Sequence, residues 1–243
     1  MAHLELFVLT WGVYPRRVLI YLHEKGLLNS PHIKVTPVTL SPALEMLAPG
    51  KPKGTVPILT LPDGTFIKQS VAILDYFEDI CDNPQEEWQK DIATSAKASM
   101  RGTNARERAT TRDILALADE AGSMFGFACH KGTKLFQEME PSSPVAASLA
   151  MDIVRKNMKL LEPYYEGRFR GGNPDAERVT IADCVLCSLL QFSRELYGAD
   201  LLADPELVNL KRFYGTFKER DSARIPEDFY PGHIKELASV WLE

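Results

Sequence analysis

Asn83-Pro84 marks the single change of hydrophobic period in this sequence. Upstream, short runs with strand character alternate with helical stripes. Downstream, helical stripes follow one another and no convincing strand interrupts them. A pattern that changes once in this way constrains the chain to a mixed α/β portion followed by an all-α portion. The expected organisation is a first domain over 1–83, a linker over 84–91 and a helical domain over 92–243. A length of 243 residues suits two such domains. The sequence holds no internal repeat and no low-complexity segment.

Leu4, Leu6 and Val8 alternate with Glu5, Phe7 and Leu9, which reads as a strand buried on both faces. Pro15 follows at a position where a missing N–H is harmless. Val18, Tyr21 and Leu22 share one face and Gly26 supplies a stop, so a helix is predicted between Pro15 and Gly26. Residues 32–40 predict a second strand, which Pro37 confines to an edge or irregular position. VPILTL and TFIKQ flank the turn Pro62-Asp63-Gly64, and Ile73, Leu74, Phe77 and Ile80 give the stripe of the helix that follows. Beyond the break, helical tracts are predicted over 88–128, with Gly102 as a kink, and over 144–166, 180–197, about 206–220 and 232–242.

Composition narrows the function. Hydrophobic residues make up 45% and charged residues 25%, as in an ordinary globular protein. A net charge of −5 provides no cationic field for nucleic acid or an anionic membrane. No apolar run approaches the roughly 20 residues of a membrane span. MAHLELFVLTW lacks a basic leader and a small-residue cleavage site, so the cytoplasm is the expected compartment. Four cysteines do not suggest a disulfide-stapled fold. Cys184 and Cys187 lie inside the apolar run CVLCSLL without further ligands at zinc spacing, and read as core. The five histidines, at 3, 23, 32, 130 and 233, form no metal-binding or catalytic spacing, so no metal is expected.

Four short motifs carry more information. Val56-Pro57 opens a strand; it is either an edge proline or a cis bond presenting the preceding backbone to an extended ligand. Gln69-Ser70 precedes a helix, where Ser70 either caps it or, with the positive end of the dipole, cradles a carboxylate. Thr180-Ile-Ala-Asp183 is a capping box, with Val179 and Cys184 placed as its hydrophobic staple. Arg101, Arg108 and Arg112 recur at near-heptad spacing. They form either a salt-bridged face, with Glu107 and Asp113 nearby, or a cationic wall for an acidic or carbonyl-bearing ligand.

The α/β module, Val-Pro before a strand, Gln-Ser before a helix and an all-α half carrying Thr-x-x-Asp, in this order over essentially the whole chain, resemble the cytosolic glutathione S-transferases: a thioredoxin-like N-terminal domain followed by a helical C-terminal domain. KPKGTVPIL is similar to the family's N-P-x-G-x-V-P-x-L, with Lys51 in place of Asn. The resemblance implies the order β-α-β-α-β-β-α, with a short helix inside 41–50. It implies a backbone contact from Val56 to the cysteinyl part of glutathione, with Pro57 cis. Gln69 and Ser70 would hold the γ-glutamyl end, and Lys51 or Lys53 the glycyl carboxylate. It also implies a homodimer, and substrate contacts among Met100, Asn104, Arg108, Thr111, Phe213 and Phe217.

The stretch LTWGVYPRRV departs from that family. Aligned on its Arg-Arg-Val, Gly12 occupies the place of the usual Ser or Cys, so a cysteine-based disulfide mechanism is ruled out. A thiol of pKa about 8.5 still needs help to ionise at neutral pH. The candidates are the hydroxyls of Tyr14 and Thr10 and the N–H groups of 12–14, with Arg17 adding positive potential. The reactions implied are conjugation of glutathione to a small apolar electrophile, or reversible addition that isomerises a conjugated alkene. Family members serve in the second way in fungal natural-product biosynthesis. The alternative is a non-catalytic binding or assembly module of the same fold, which Gly12 favours and the Val-Pro and Gln-Ser pairs disfavour.

Overall fold

The computed structural model describes residues 3–41, 45–170, 175 and 177–243. The chain divides into two compact units, Met1–Arg108 with Val179–Cys184, and Ala109–Arg178 with Val185–Glu243.

The first unit begins with β1 (Leu4–Val8), α1 (Val13–Lys25) and β2 (Ile33–Pro37). A two-stranded hairpin of β3 (Thr39–Leu40) and β4 (Met46–Leu47) follows, then β5 (Ile58–Thr60), β6 (Phe66–Ile67), α2 (Ser70–Asp82) and α3 (Glu87–Ser95). The main sheet has the order β2-β1-β5-β6, with β1 parallel to β2 and the other pairs antiparallel. β1 is an inner strand, so Leu4, Leu6, Phe7 and Val8 are all buried, as its nearly continuous apolar run requires. Gly26 ends α1 at φ +80, where its missing Cβ removes the steric penalty.

Three expectations change here. The helix expected inside 41–50 is replaced, in its described part, by β4, which pairs Leu47 with Thr39 and Met46 with Leu40. Gly50, at φ +72, then turns the chain before a helix can propagate. Residues 42–44, also within that expectation, lie outside the described residues. The tract 88–128 is two helices, because Gly102 adopts φ +119 and a Cβ there would stand 2.6 Å from that of Glu107. Arg101 therefore lies in the break rather than on a helix with Arg108 and Arg112. The expected linker, 84–91, contains the start of α3, which Glu86 and Gln89 cap reciprocally.

Between α3 and the next helix the chain crosses back over the ends of α1 and α2. The Lys97 N–H donates to the Lys25 carbonyl at 2.8 Å. At the centre lies Glu78, fully buried. Its Oε1 accepts from the Tyr21 hydroxyl and the Lys25 ammonium, each at 2.8 Å. Its Oε2 accepts from the Ser99 hydroxyl at 2.8 Å and the Met100 N–H at 2.9 Å. Arg101 reaches Asp79 at 2.5 Å and Asp82 at 2.7 Å on α2.

The remaining helices are α4 (Ala105–Gly132), α5 (Pro144–Leu161), α6 (Ile181–Glu195), α7 (Val208–Phe217) and α8 (Gly232–Ala238). The last four match the predicted tracts with shorter ends, whereas α4 runs past the predicted end at 128. Thr180 and Asp183 form the expected box at the start of α6. The Thr180 N–H donates to the Asp183 carboxylate at 2.8 Å, and the Asp183 N–H to the Thr180 hydroxyl at 3.3 Å. Cys184 and Cys187 form no disulfide and are buried in α6.

In the second unit α4 and α5 approach closely, since a Cβ on Gly132 would stand 2.6 Å from that of Ala147. Ala128, Ala147 and Ala150 form the contact, with Met151 and Trp241 against them. The segment after α8 is pinned to the end of α4. The Leu242 N–H donates to the Gly132 carbonyl at 2.8 Å, and Trp241 Nε1 to the Tyr197 carbonyl at 3.1 Å. Among the described residues no helix is long and apolar enough to cross a membrane.

Candidate functional site

Two of the predicted segments meet at the N-terminal end of α1. The first arrives by strand register: Phe7 pairs with Ile58, which carries Val56-Pro57 alongside the end of β1, where Val56 packs in one cluster with Leu9. The Val56-Pro57 bond is cis. The backbone N–H and C=O of Val56 take no part in the hydrogen bonding among the described residues. The second segment arrives through α1 itself. Nη1 of Arg17 donates to the Ser70 hydroxyl at 3.3 Å, and both residues are buried.

Ser70 is the first residue of α2, with Gln69 as its N-cap in extended conformation and no acidic side chain in the first turn. The N–H groups of that turn and the helix dipole thus face outward without a side-chain cap, a setting suited to an anion.

The mouth of α1 has a similar character. Gly12 is the N-cap, at φ −70 and ψ 138, a conformation open to any residue. Its own N–H is engaged with the Leu9 carbonyl at 2.8 Å, and Arg16 closes the first helical bond onto Gly12 at 2.9 Å. Pro15 has no N–H, so the donors left at the mouth are Val13 and Tyr14. The Tyr14 ring is half-buried beneath the Arg17 guanidinium, 4.6 Å from its centroid. The Tyr14 hydroxyl makes no hydrogen bond among the described residues, and Thr10 is exposed.

The lysines sit on the loop after β4. Lys51 Nζ folds back on that loop, donating to the Pro52 carbonyl at 2.9 Å and the Gly54 carbonyl at 2.7 Å. Lys53 is exposed, and its carbonyl accepts from Lys68 at 3.0 Å. Both line a cleft of about 590 Å³ with Thr39, Met46, Leu47 and Ala48.

The other predicted residues are scattered. Met100 is buried in the first unit, its N–H on Glu78 and its carbonyl on the Ile181 N–H at 3.0 Å. Asn104 caps α4: its side chain exchanges bonds with Glu107, accepting from the N–H at 3.0 Å and donating to the carboxylate at 2.9 Å. Arg108 is exposed and Thr111 buried. Phe213 and Phe217 are fully buried in the second unit, where Phe213 meets Tyr165 at 4.6 Å and Phe169 at 5.1 Å between ring centroids. Among the described residues no group of His, Cys, Asp and Glu could hold a metal ion.

Two features go beyond sequence reasoning. Arg17 is expected there only to add positive potential; its burial against Ser70 cannot be read from the pattern, and its neighbour Arg16 is buried as well. Trp11, Leu40, Met46 and Ala48 are half-exposed apolar side chains packed on the cluster that contains Val56. Their separation along the chain hides that common surface.

Residues 11–80 match the profile of the glutathione S-transferase N-terminal domain. No curated protein sequence matches the chain. Among solved structures, it is similar to a glutathione transferase family member from Pseudomonas fluorescens Pf-5 with bound glutathione: 20% identity, 90% of this chain and 96% of that one covered, TM-score 0.66. It is similar to the same degree to a glutathione S-transferase from Methylobacillus flagellatus KT, solved with glutathione bound (20% identity, 90% and 96% covered, TM-score 0.66). Gtt2 from Saccharomyces cerevisiae shares 22% identity, with 90% of this chain and 98% of that one covered and a TM-score of 0.64. Residues 11–80 thus carry a glutathione S-transferase N-terminal domain, and along nine-tenths of its length the chain shares the fold of solved glutathione transferases.

Proposed function

We propose that the chain binds glutathione at the N-terminal end of α1 and works as a glutathione transferase. The observation that carries this reading is the convergence there of Val56, by strand register, and Ser70, through Arg17. The solved neighbours with bound glutathione support it. In this reading Val56 pairs with the cysteinyl backbone and Pro57 shapes that edge. Gln69, Ser70 and the first turn of α2 take the γ-glutamyl end, with Arg17 behind Ser70. Lys53 or Lys51 takes the glycyl carboxylate.

The sulfur then faces the mouth of α1. Donors there stabilise the thiolate over the thiol, and each unit by which the pKa falls below about 8.5 corresponds to roughly 1.4 kcal/mol. Tyr14 is the foremost donor, with Thr10 and the N–H groups of Val13 and Tyr14 behind it, while Gly12 contributes only room. The thiolate attacks an electrophilic carbon of a small apolar substrate. Conjugation follows when the adduct expels a leaving group or takes up a proton. Isomerisation follows when the adduct of a conjugated alkene rotates about its new single bond and expels the thiolate again. Asn104 and Arg108, both exposed, are the preferred substrate contacts; the buried Met100, Thr111, Phe213 and Phe217 act through the cores that hold them. The active form is a homodimer in the cytoplasm, and service in secondary metabolism fits the isomerase variant.

Retention on immobilised glutathione followed by calorimetric titration tests the reading. Absence of binding at millimolar glutathione overturns it in favour of a non-catalytic module, the reading that the bare Gly12 position favours. Tyr14→Phe lowers turnover about tenfold to a thousandfold if its hydroxyl supports the thiolate. Unchanged kinetics transfer that role to Thr10 or the backbone.

A further inference from the structure

A cavity of about 370 Å³ opens in the second unit, walled by the end of α6, by α7 and by the segment that leads into α8. Its size is that of a small-molecule pocket. None of the glutathione contacts proposed above belongs to this unit. Gln191 on α6 ties two of the walls together, donating through Nε2 to the Ala223 carbonyl at 2.7 Å, and both residues are buried. Ala223 and Ile225 give the lining an apolar stretch, while Tyr214 and Tyr230, both buried, give it two phenol rings.

Glu195 stands where a carboxylate is least favoured. It is the last residue of α6, at the end that carries the partial negative charge of the helix. It is half-buried, lines the cavity, and forms no ion pair among the described residues. The buried Tyr214 side chain lines the same cavity, and its hydroxyl makes no hydrogen bond among the described residues. Burial raises the Tyr214 phenol above its usual value, with smaller contributions from Cys187 and Glu195 nearby, so it stays protonated and neutral. The rim carries both signs and selects nothing by charge. Lys218 stands 3.8 Å from Glu219, Arg224 is held on Asp221 at 3.1 Å, and Lys235 and Glu227 are exposed. The interior therefore decides. A carboxylate, a phenol oxygen, two aromatic rings and the negative end of a helix all favour a positive charge. An ammonium group brings three N–H donors to meet them, and the apolar stretch accepts the body that carries it.

We propose that this cavity binds a small organic amine, its ammonium group on Glu195 and Tyr214 and its apolar body against Ala223, Ile225 and the Tyr230 ring. Calorimetric titration of the full chain with phenethylamine tests it, with hydrocinnamate as the control that carries a carboxylate on the same phenethyl body. The amine is expected to bind at a single site with a dissociation constant of about a millimolar or tighter, and the acid not to bind. Glu195→Gln should weaken the amine by about tenfold to a hundredfold. It should not lower the melting temperature, because it removes a charge opposed to the helix end. Tyr214→Phe should weaken the amine by about threefold to tenfold. Absence of saturable amine binding overturns the proposal, and so does equal binding of the acid. A Glu195→Gln variant that binds the amine as the wild type does, or that loses binding only by melting at a lower temperature, marks Glu195 as a structural group and overturns it too. Glutathione takes no part in these titrations, so this site and the proposed function fail separately.

Discussion

The two ends of α2 are built to opposite plans. At its C-terminal half, Glu78 has each carboxylate oxygen filled twice over, by Tyr21 and Lys25 on one side and by Ser99 and Met100 on the other. At its N-terminus Ser70 accepts a long bond from Arg17, and among the described residues no side chain caps the helix. Burying a charge is strongly unfavourable unless every lone pair is met, so a saturated group of this kind holds structure. A helix start with open donors contributes little to stability and is suited to an incoming carboxylate. One helix thus separates the two tasks by its length: one end fastens the connection to α4, the other faces a ligand.

Breaking the closed end should have the largest effect. Glu78→Gln leaves Lys25 buried beside a neutral amide and should lower unfolding stability by about 3–5 kcal/mol in urea, with glutathione affinity of the folded fraction unchanged. At the open end the balance should invert. Ser70→Ala should weaken glutathione binding by about ten- to a hundredfold, the 1.5–3 kcal/mol of a hydrogen bond to a charged group, with little change in the melting temperature. Equal loss of stability from both variants would erase the contrast.

The smallest effect concerns Tyr21. Burial, reinforced by the neighbouring Glu78 carboxylate, raises the Tyr21 phenol well above its usual value. The folded chain therefore keeps this proton after the unfolded chain has released it. The stabilisation is complete below about pH 10, the ordinary tyrosine value, and declines as the pH rises above it. Tyr21→Phe should cost about 1 kcal/mol at neutral pH and flatten the alkaline arm of a stability-against-pH series.

The contrast also explains what could be read from the sequence. Val56-Pro57, Gln69-Ser70 and Thr180-Ile-Ala-Asp183 are local signals: each pairs a residue type with a strand or helix boundary, and each stands where the pattern places it. The Glu78 group is invisible by the same logic, because its partners lie 57 and 53 residues upstream and 21 and 22 downstream. The burial of Arg17 depends likewise on Ser70, 53 residues away. Family likeness offers Phe213 and Phe217 as substrate contacts, but it specifies a helix and not which face of it turns inward, and both are buried. The hairpin of β3 and β4 escaped because strands of two residues are too short to display a period.

The close approach of α4 and α5 has a consequence for variation along α5. Where Gly132 and Ala147 leave no room for a methyl group, the inner residues of the first turns must stay small, while the bulky ones face outward. A saturation scan of a free monomer should therefore look inverted there. Alanines should prove irreplaceable and leucines expendable, and a hydropathy ranking would choose the wrong side of the helix as its interior.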